Sequence, residues 1–398
     1  MDGDQELIND KGYTVGIDAT NLRGGGGLTH LVELLRALQP TQSKIDRIVV
    51  WGGISSLNAM ENKPWLVKIN PTTLNKNLLF RTFWQRYCLS KAARSEGCSV
   101  LFVPGGSFAG DFQPVVTMSQ NLLPFEMVEL KRYGFTMFTL KLLLLRLTQS
   151  YSFRKADGVI FLTKYARRVV LNVSGKLRGK TKIIPHGLNS RFNTRPKQQK
   201  NIIEYDFSNP YRILYVSIID QYKHQWNVVE AVADLRHKGF PIALDLVGPA
   251  YQPALKRLNA TIDAVDINRD WVNYHGAVPF DQLHHHYVKA DLGVFASSCE
   301  NMPNILLETM ASGLPIASSK MGPMPEMLGS AGLYFNPEQP NDIARALREL
   351  INSPELRTQL AQASYSRAQE YSWQRCANET FEFLTAVSQQ QKGTIYPE

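Results

Sequence analysis

Along the chain, short apolar runs rich in Val, Ile and Phe alternate with longer stretches in which apolar residues recur every three or four positions. The short runs fit strands buried on both faces and the longer period fits helices covering them, so the pattern predicts repeated β-α units around parallel sheets. In the first half the predicted strands are 13–19, 47–51, 100–103, 115–118, 158–163 and 182–185. In the second half they are 212–217, 243–247, 272–275, 292–296, 315–318 and 333–335, with helices such as 225–238 and 304–312 between them. After Asn341 the period stays helical to about residue 390, interrupted at Pro354, and no further strand follows.

Between residues 189 and 211 both periods lapse into a polar stretch containing Arg195-Pro196-Lys197 and Asn209-Pro210, which marks a linker. The predicted fold is α/β, with two doubly wound, Rossmann-like domains facing a central cleft. They occupy 1–195 and 196–372, and 373–398 is a closing helix packed back across the lobes. A chain of 398 residues is long enough for two cores, because a single core stops growing near ~250–300 residues. Parallel sheets bind ligands beyond the carboxyl ends of their strands, so the substrate is expected between the lobes.

Composition narrows the class. Apolar residues make up 44% of the chain and charged residues 20%, as in a globular protein and unlike a disordered one. Cys88, Cys98, Cys299 and Cys376 stand apart without a paired spacing, which points to a reducing compartment rather than a disulfide framework or a zinc site. The first ten residues are polar and acidic, unlike a secretion signal, and the most apolar stretch, 135–147, is interrupted by Lys141 and Arg146. A cytoplasmic protein that does not span a membrane is therefore expected.

The net charge of +9 is concentrated, since residues 121–200 hold seventeen Lys and Arg against three acids. Such a field suits nucleic acid, anionic lipid or phosphorylated substrates, and a solvated charged face has the same composition. The neighbouring 135–147 segment favours peripheral contact with an anionic membrane on its inner face, apolar side chains resting among headgroups and cations meeting phosphates. A buried helix fits that segment equally well. No nucleic-acid partner is expected.

Chemistry is concentrated after the predicted strand 292–296. A loop carries Glu300, a helix begins near Asn304, and Glu308 follows about one turn later, so both carboxylates can face the strand-end crevice. Free amides at the helix start suit a phosphate, and carboxylates accept hydrogen bonds from the vicinal hydroxyls of a sugar. A Glu early in a helix also complements the helix dipole, and residue type alone does not separate the two roles. The segment closely resembles the donor motif of family-four glycosyltransferases, in which two glutamates flank seven residues ahead of a small-residue helix end and an apolar strand. Gly313-Leu314-Pro315 and Pro325-Glu326 follow in the family's order.

The resemblance implies a GT-B fold and a nucleotide-diphosphate sugar as donor substrate, with no cofactor or metal. It implies that Glu300 contacts the transferred sugar, that the backbone of Asn301, Met302, Pro303 and Asn304 holds the sugar and diphosphate, and that Glu308 binds the ribose. Lys223 takes the place of a family cation that stabilises the leaving diphosphate. Ser217 and Ile218 stand where the family has Gly-Arg, so one charge is missing, to be supplied by His224 or His186. Gly26 and Gly27 belong to a glycine run, Gly24 to Gly27, that the family places near donor phosphate and acceptor.

Gln120 and Asn121 stand where the family often has His-Asp. They can contact a sugar or acceptor hydroxyl, but neither titrates. His186 lies in a strand-end loop that approaches the donor in the family and is equally consistent with a plain turn. His284, His285 and His286 are adjacent and so point about 100° apart on a helix, which disfavours metal binding. An Asp-x-Asp triplet occurs once, at Asp2-Gly3-Asp4, away from any predicted strand end.

The expected activity is hexosyl transfer with retention of configuration to a glycan or lipid-linked acceptor, as in polysaccharide biosynthesis. The alternatives are a nucleotide-sugar epimerase of the same fold and a degenerate pair of lobes that binds a nucleotide or a partner enzyme without transfer.

Overall fold

The computed structural model describes residues 12–40 and 44–395. Asp2-Gly3-Asp4 lies outside them. Seven parallel strands, β1 (Tyr13–Ala19), β2 (Ile45–Gly52), β3 (Leu66–Ile69), β4 (Val100–Val103), β5 (Val115–Met118), β6 (Gly158–Phe161) and β7 (Lys180–Ile183), form one sheet in the order β3-β2-β1-β4-β5-β6-β7. Six more, β8 (Tyr211–Val216), β9 (Ile242–Val247), β10 (Val272–Tyr274), β11 (Leu292–Phe295), β12 (Ile316–Ser319) and β13 (Leu333–Phe335), form a second in the order β10-β9-β8-β11-β12-β13.

Every residue of β4, β5, β9 and β11 is buried, because helices cover both faces of each sheet; this is why these strands read as continuous apolar runs. The strand that the sequence pattern misses is β3. It is a four-residue edge, mostly half-buried, and carries Lys68, whose ammonium reaches out to Asn62.

Both sheets reverse direction of travel beside their first strand, between β1 and β4 and between β8 and β11. At such a point the loops on the two sides run apart and leave a crevice. The loop after β1 carries the glycine run, the loop after β8 carries Lys223, and the loop after β11 carries Glu300.

The segment after β7 docks onto the second lobe. The guanidinium of Arg357, fully buried, donates to the carbonyls of Leu350 and Lys200 and lies 5.3 Å from the Tyr211 ring. The final helix, Trp373–Ile395, then returns to the first sheet, where Ser388 Oγ donates to Ser99 O at 3.0 Å. At the crossing, Gly187 is the residue that allows closest approach, since a Cβ there would come within 2.2 Å of the Trp373 nitrogen.

The lobes also bind each other across the cleft. The Glu326 carboxylate accepts from the amides of Lys164 (2.7 Å) and Tyr165 (2.9 Å), at the start of the first-lobe helix Lys164–Ser174. A carboxylate at a helix N-terminus meets both free amides and a favourable dipole. Asn301 Nδ2 donates to Ser119 O at 3.0 Å, and Ser298 Oγ donates to the Glu129 carboxylate at 2.8 Å.

The apolar 135–147 segment opens the helix Met137–Lys155, which is neither fully buried nor free. Leu142 and Phe153 face the interior, whereas Met137, Leu140, Leu144 and Leu147 are exposed along the opposite side. Among the described residues no helix is long and apolar enough to cross a membrane.

Candidate functional site

A cavity of about 450 Å³ lies between the lobes at the two crossover points. The first lobe contributes Gly25, Gly26, Thr29 and Glu33; the second contributes Ser217, Ile218, Lys223, Glu300, Met302, Pro303, Asn304 and Glu308. Val247, Val278, Phe280 and Leu283 make one end apolar, and Trp373 with Gly187 closes the crossing side.

Two helix starts and a lysine give the cavity groups that can bind an anion. The helix Gly25–Ala37 begins at Gly24 and the helix Asn304–Ala311 begins at Pro303, and neither start has a side-chain cap. Gly25, Gly26, Asn304 and Ile305 all line the cavity, so two uncapped helix starts open onto it, each offering amides and a positive dipole end. Pro303 has no N–H to donate, and glycines let a ligand approach the backbone closely.

Lys223 is the one Lys or Arg among the lining residues. It is nearly fully buried, hydrogen-bonded to the Glu300 carboxylate, and stands about 5 Å from the rings of Tyr222 and Phe295. The aromatic faces and the carboxylate together hold a cation where water is scarce.

Glu308 projects from the second turn of its helix into the cavity. Burial pushes its carboxyl up to about 8, the Tyr287 hydroxyl at 3.4 Å only partly offsetting this. A carboxyl raised in this way favours its protonated form at neutral pH, and can then donate as well as accept.

The cation missing at Ile218 is not replaced by a histidine. Burial pushes both His186 and His224 down to about 4, so both are neutral near pH 7. His224 Nε2 lies 2.9 Å from Ser298 Oγ, and His186 turns away from the cavity toward His30, their Nδ1 atoms 2.7 Å apart. Positive potential at this part of the cavity comes instead from the two helix starts.

Of the residues singled out from the sequence, Gly26, Ser217, Lys223, Glu300, Met302, Pro303, Asn304 and Glu308 meet in this cavity. Asn301 does not; its amide bonds to Ser119 and its carbonyl accepts from Thr163 Oγ1 at 2.9 Å, so it joins the lobes behind the loop. His186 acts from behind as well, its N–H donating to the Met302 sulfur at 3.1 Å. Gly27 lies against Gln120, where a Cβ would come within 2.7 Å of the amide oxygen. Asn121 folds onto its own backbone, accepting from Leu123 N at 3.1 Å.

Three polar or aromatic lining residues, Thr29, Glu33 and Trp373, were not singled out from the sequence. Thr29 and Glu33 are four apart on the helix Gly25–Ala37 and share its inward face, with Arg36 bound to Glu33 at 2.6 Å. Trp373 reaches the cavity only because the last helix crosses between lobes. The i, i+4 spacing behind the glycine run was the one clue to the first pair.

Two facing doubly wound sheets with this cleft define the GT-B fold. A sucrose-phosphate synthase from Thermosynechococcus elongatus superposes with a TM-score of 0.73 at 17% identity, covering 96% of this chain and 100% of that one. An Anabaena protein, HepE, solved in complex with UDP-glucose, superposes at 0.67 with 15% identity, covering 96% and 99%.

Residues 197–367 match the model of the glycosyl transferases group 1 family. Similar curated proteins are the sulfoquinovosyl transferase of Arabidopsis thaliana, 29% identical over 131 residues (32% of this chain, 24% of that protein), and a D-inositol 3-phosphate glycosyltransferase of Corynebacterium jeikeium, 26% identical over 207 residues (49% of each). The alignments span between a quarter and a half of these relatives' length.

Proposed function

We propose that this chain transfers a hexose from a nucleotide-diphosphate sugar to a glycan or lipid-linked acceptor with retention of configuration, as in polysaccharide biosynthesis. The observation that carries the reading is the convergence of two uncapped helix starts, buried Lys223 and the carboxylates Glu300 and Glu308 on one cavity at both crossover points. A diphosphate is the ligand that matches paired helix starts and a cation; carboxylates match the hydroxyls of ribose and hexose. The apolar end, Val247 to Leu283, is suited to a base.

In this reading the bond from the anomeric carbon to the diphosphate oxygen breaks, and the acceptor oxygen bonds the same face of that carbon. The departing phosphate oxygen takes the acceptor's proton, so no side-chain nucleophile, metal or cofactor enters. Lys223 and the helix starts stabilise the charge that develops on the diphosphate, the interaction that counts most for rate. Gln120, beside Gly27, would be the contact for an acceptor hydroxyl in this reading. The protein would work on the cytoplasmic side, in peripheral contact with anionic membrane through the basic 121–200 region.

The test is incubation with a panel of nucleotide sugars and a membrane extract, monitoring nucleoside diphosphate. Release that disappears in Glu300→Ala and Lys223→Ala supports transfer, whereas release of monophosphate overturns it. Ile218, an apolar residue lining the place of a cation, favours a second reading, a lobe pair that binds donor without transferring it. Donor binding without diphosphate release across acceptors would select that reading.

A further inference from the structure

We infer that two helices of the first lobe, Leu78–Tyr87 and Met137–Lys155, form a single docking face for an anionic lipid bilayer. This deepens the peripheral-membrane reading above, adds a helix that lies outside the basic 121–200 region, and does not depend on the donor chemistry.

The first observation is where the exposed apolar side chains are. Twenty-one large ones stand exposed among the described residues, and twelve of these fall within 78–87 and 135–151. In the longer helix Met137, Leu140, Leu144, Leu147 and Tyr151 follow one another at spacings of three and four, a stripe along one side. Leu142, Gln149 and Phe153 are buried on the other side, so the helix is anchored with its stripe outward. In the shorter helix Leu79 is 79% exposed and Phe83 59% exposed, while Trp84 faces inward. Soluble monomers rarely leave so much apolar surface together without a use for it.

The second observation is charge. No acid occurs between Glu61 and Glu96 or between Glu129 and Asp157, and these stretches carry seven and six Lys or Arg. Cations stand beside aromatic rings, with the Lys76 ammonium 4.9 Å from the Phe80 centroid and that of Lys155 4.5 Å from Tyr151. Apolar and aromatic side chains interleaved with long cations match the headgroup layer, where rings sit at the interface and cations reach phosphates. A second copy of the chain is a poor occupant, because a two-fold contact would press one predominantly cationic surface against another, Asp111 beside Arg94 being the acid of the intervening loop.

The third is continuity. Gln85 Nε2 donates to Ser107 O (3.1 Å), Phe108 N donates to Ser152 Oγ (2.9 Å), and Arg86 Nη1 donates to Ala109 O (2.7 Å). Three consecutive residues are thus held by both helices, which flank one loop. The shorter helix also adjoins the entrance to the cleft, since Arg81 Nη1 donates to Thr20 O (3.2 Å) just ahead of the glycine run. A bilayer on this face presents headgroup-linked acceptors at the first-lobe side of the cavity, a step that rests on the transfer reading.

The experiment is vesicle flotation of the full chain without nucleotide, using phosphatidylcholine vesicles with and without about 30% phosphatidylglycerol. Binding is expected only with the anionic lipid, and to fall at least tenfold when salt is raised from about 0.1 M to about 0.5 M. Leu79→Glu/Phe83→Glu and Leu144→Glu/Leu147→Glu, all at exposed positions, should each lower it at least tenfold while near-UV circular dichroism and melting temperature stay unchanged. Wild-type protein that ignores anionic vesicles, or folded variants that bind like wild type, overturns the proposal. So does wild-type protein that is dimeric where the variants are monomeric, which would make the face a contact between copies. Vesicle binding that persists while no nucleotide sugar is used overturns only the transfer reading.

Discussion

The ammonium of Lys223 is hydrogen-bonded to the carboxylate of Glu300 inside the cleft, joining the loop after β8 to the loop after β11. Both groups are largely removed from water, so neither can lose its partner cheaply: an unpaired buried charge costs about 3–5 kcal/mol. Lys223→Met and Glu300→Gln should each lower the midpoint of chemical denaturation. The double variant, with no charge left to strand, should regain more than half of that loss while diphosphate release stays absent. Additive losses in the double variant would show that the pair is not coupled.

Glu308 couples stability to pH in a defined direction. Its carboxyl is raised by burial to about 8, so the folded protein keeps a proton that the unfolded chain gives up near 4.5. Stability therefore falls as pH rises between about 4.5 and about 8, and the penalty is complete above that range. Glu308→Gln cannot ionise, and at about pH 9 it should melt a few degrees above wild type, the two converging near pH 4. If Glu308 also binds donor hydroxyls, the same variant should bind nucleoside diphosphate sugar at least tenfold more weakly. Melting curves that run parallel across this range would show that the carboxyl is not buried in solution.

The His30–His186 pair has the opposite sign. Burial lowers both imidazoles, His186 to about 4, whereas the unfolded chain protonates near 6.5. Stability is fully present above about pH 6.5 and is lost as pH falls toward 4, because the unfolded chain takes up protons that the folded protein refuses. Acid should thus loosen the crossing where both rings lie within 6 Å of Trp373. His186→Gln, which cannot charge, should show a smaller drop in melting temperature between about pH 7 and about pH 5 than wild type. An equal drop would place the acid sensitivity elsewhere.

The strands and the Glu300–Glu308 segment were legible in the sequence because they are local. Buried parallel strands must be apolar throughout, and two glutamates on a loop and the helix that follows it keep their spacing wherever the helix lies. β3 escaped because an edge strand needs no second apolar face. Glu33 and Trp373 escaped because only the closing of one lobe on the other turns them toward a ligand. His186 and His224 were read as possible cations since nothing in their neighbours reveals burial. The exposed helix Leu78–Tyr87 escaped for the converse reason: its apolar residues, read along the chain, are those of an ordinary buried helix.

Lobe closure makes its own prediction. The Glu326 carboxylate binds two first-lobe amides, so Glu326→Ala removes the principal link at that edge of the cleft without touching the cavity. Each charge-assisted bond contributes about 1.5–3 kcal/mol, enough to shift a two-state opening equilibrium more than tenfold. The radius of gyration from solution scattering should increase, and donor should restore the compact form at higher concentration than in wild type. An unchanged radius would mean that the other inter-lobe bonds, among them Asn301 to Ser119, Ser298 to Glu129, Thr163 to Asn301, Tyr133 to Asp220 and Arg132 to Glu338, suffice to hold the lobes.

Ile218 gives the most direct test of whether this cavity holds a diphosphate. It lines the site beside Ser217 and is 36% exposed, so a longer polar side chain can be accommodated there without cutting into the core. Placing a guanidinium there adds a second cation to a cavity that otherwise relies on Lys223 and two helix starts. Ile218→Arg should tighten nucleoside diphosphate binding about tenfold, equivalent to about 1.4 kcal/mol, and make it more sensitive to salt. Nucleoside binding, which lacks the anion, should stay within about twofold, since the added charge meets no partner. Equal effects on nucleoside and diphosphate would mean that the cation does not face the phosphates and that the helix starts serve another ligand.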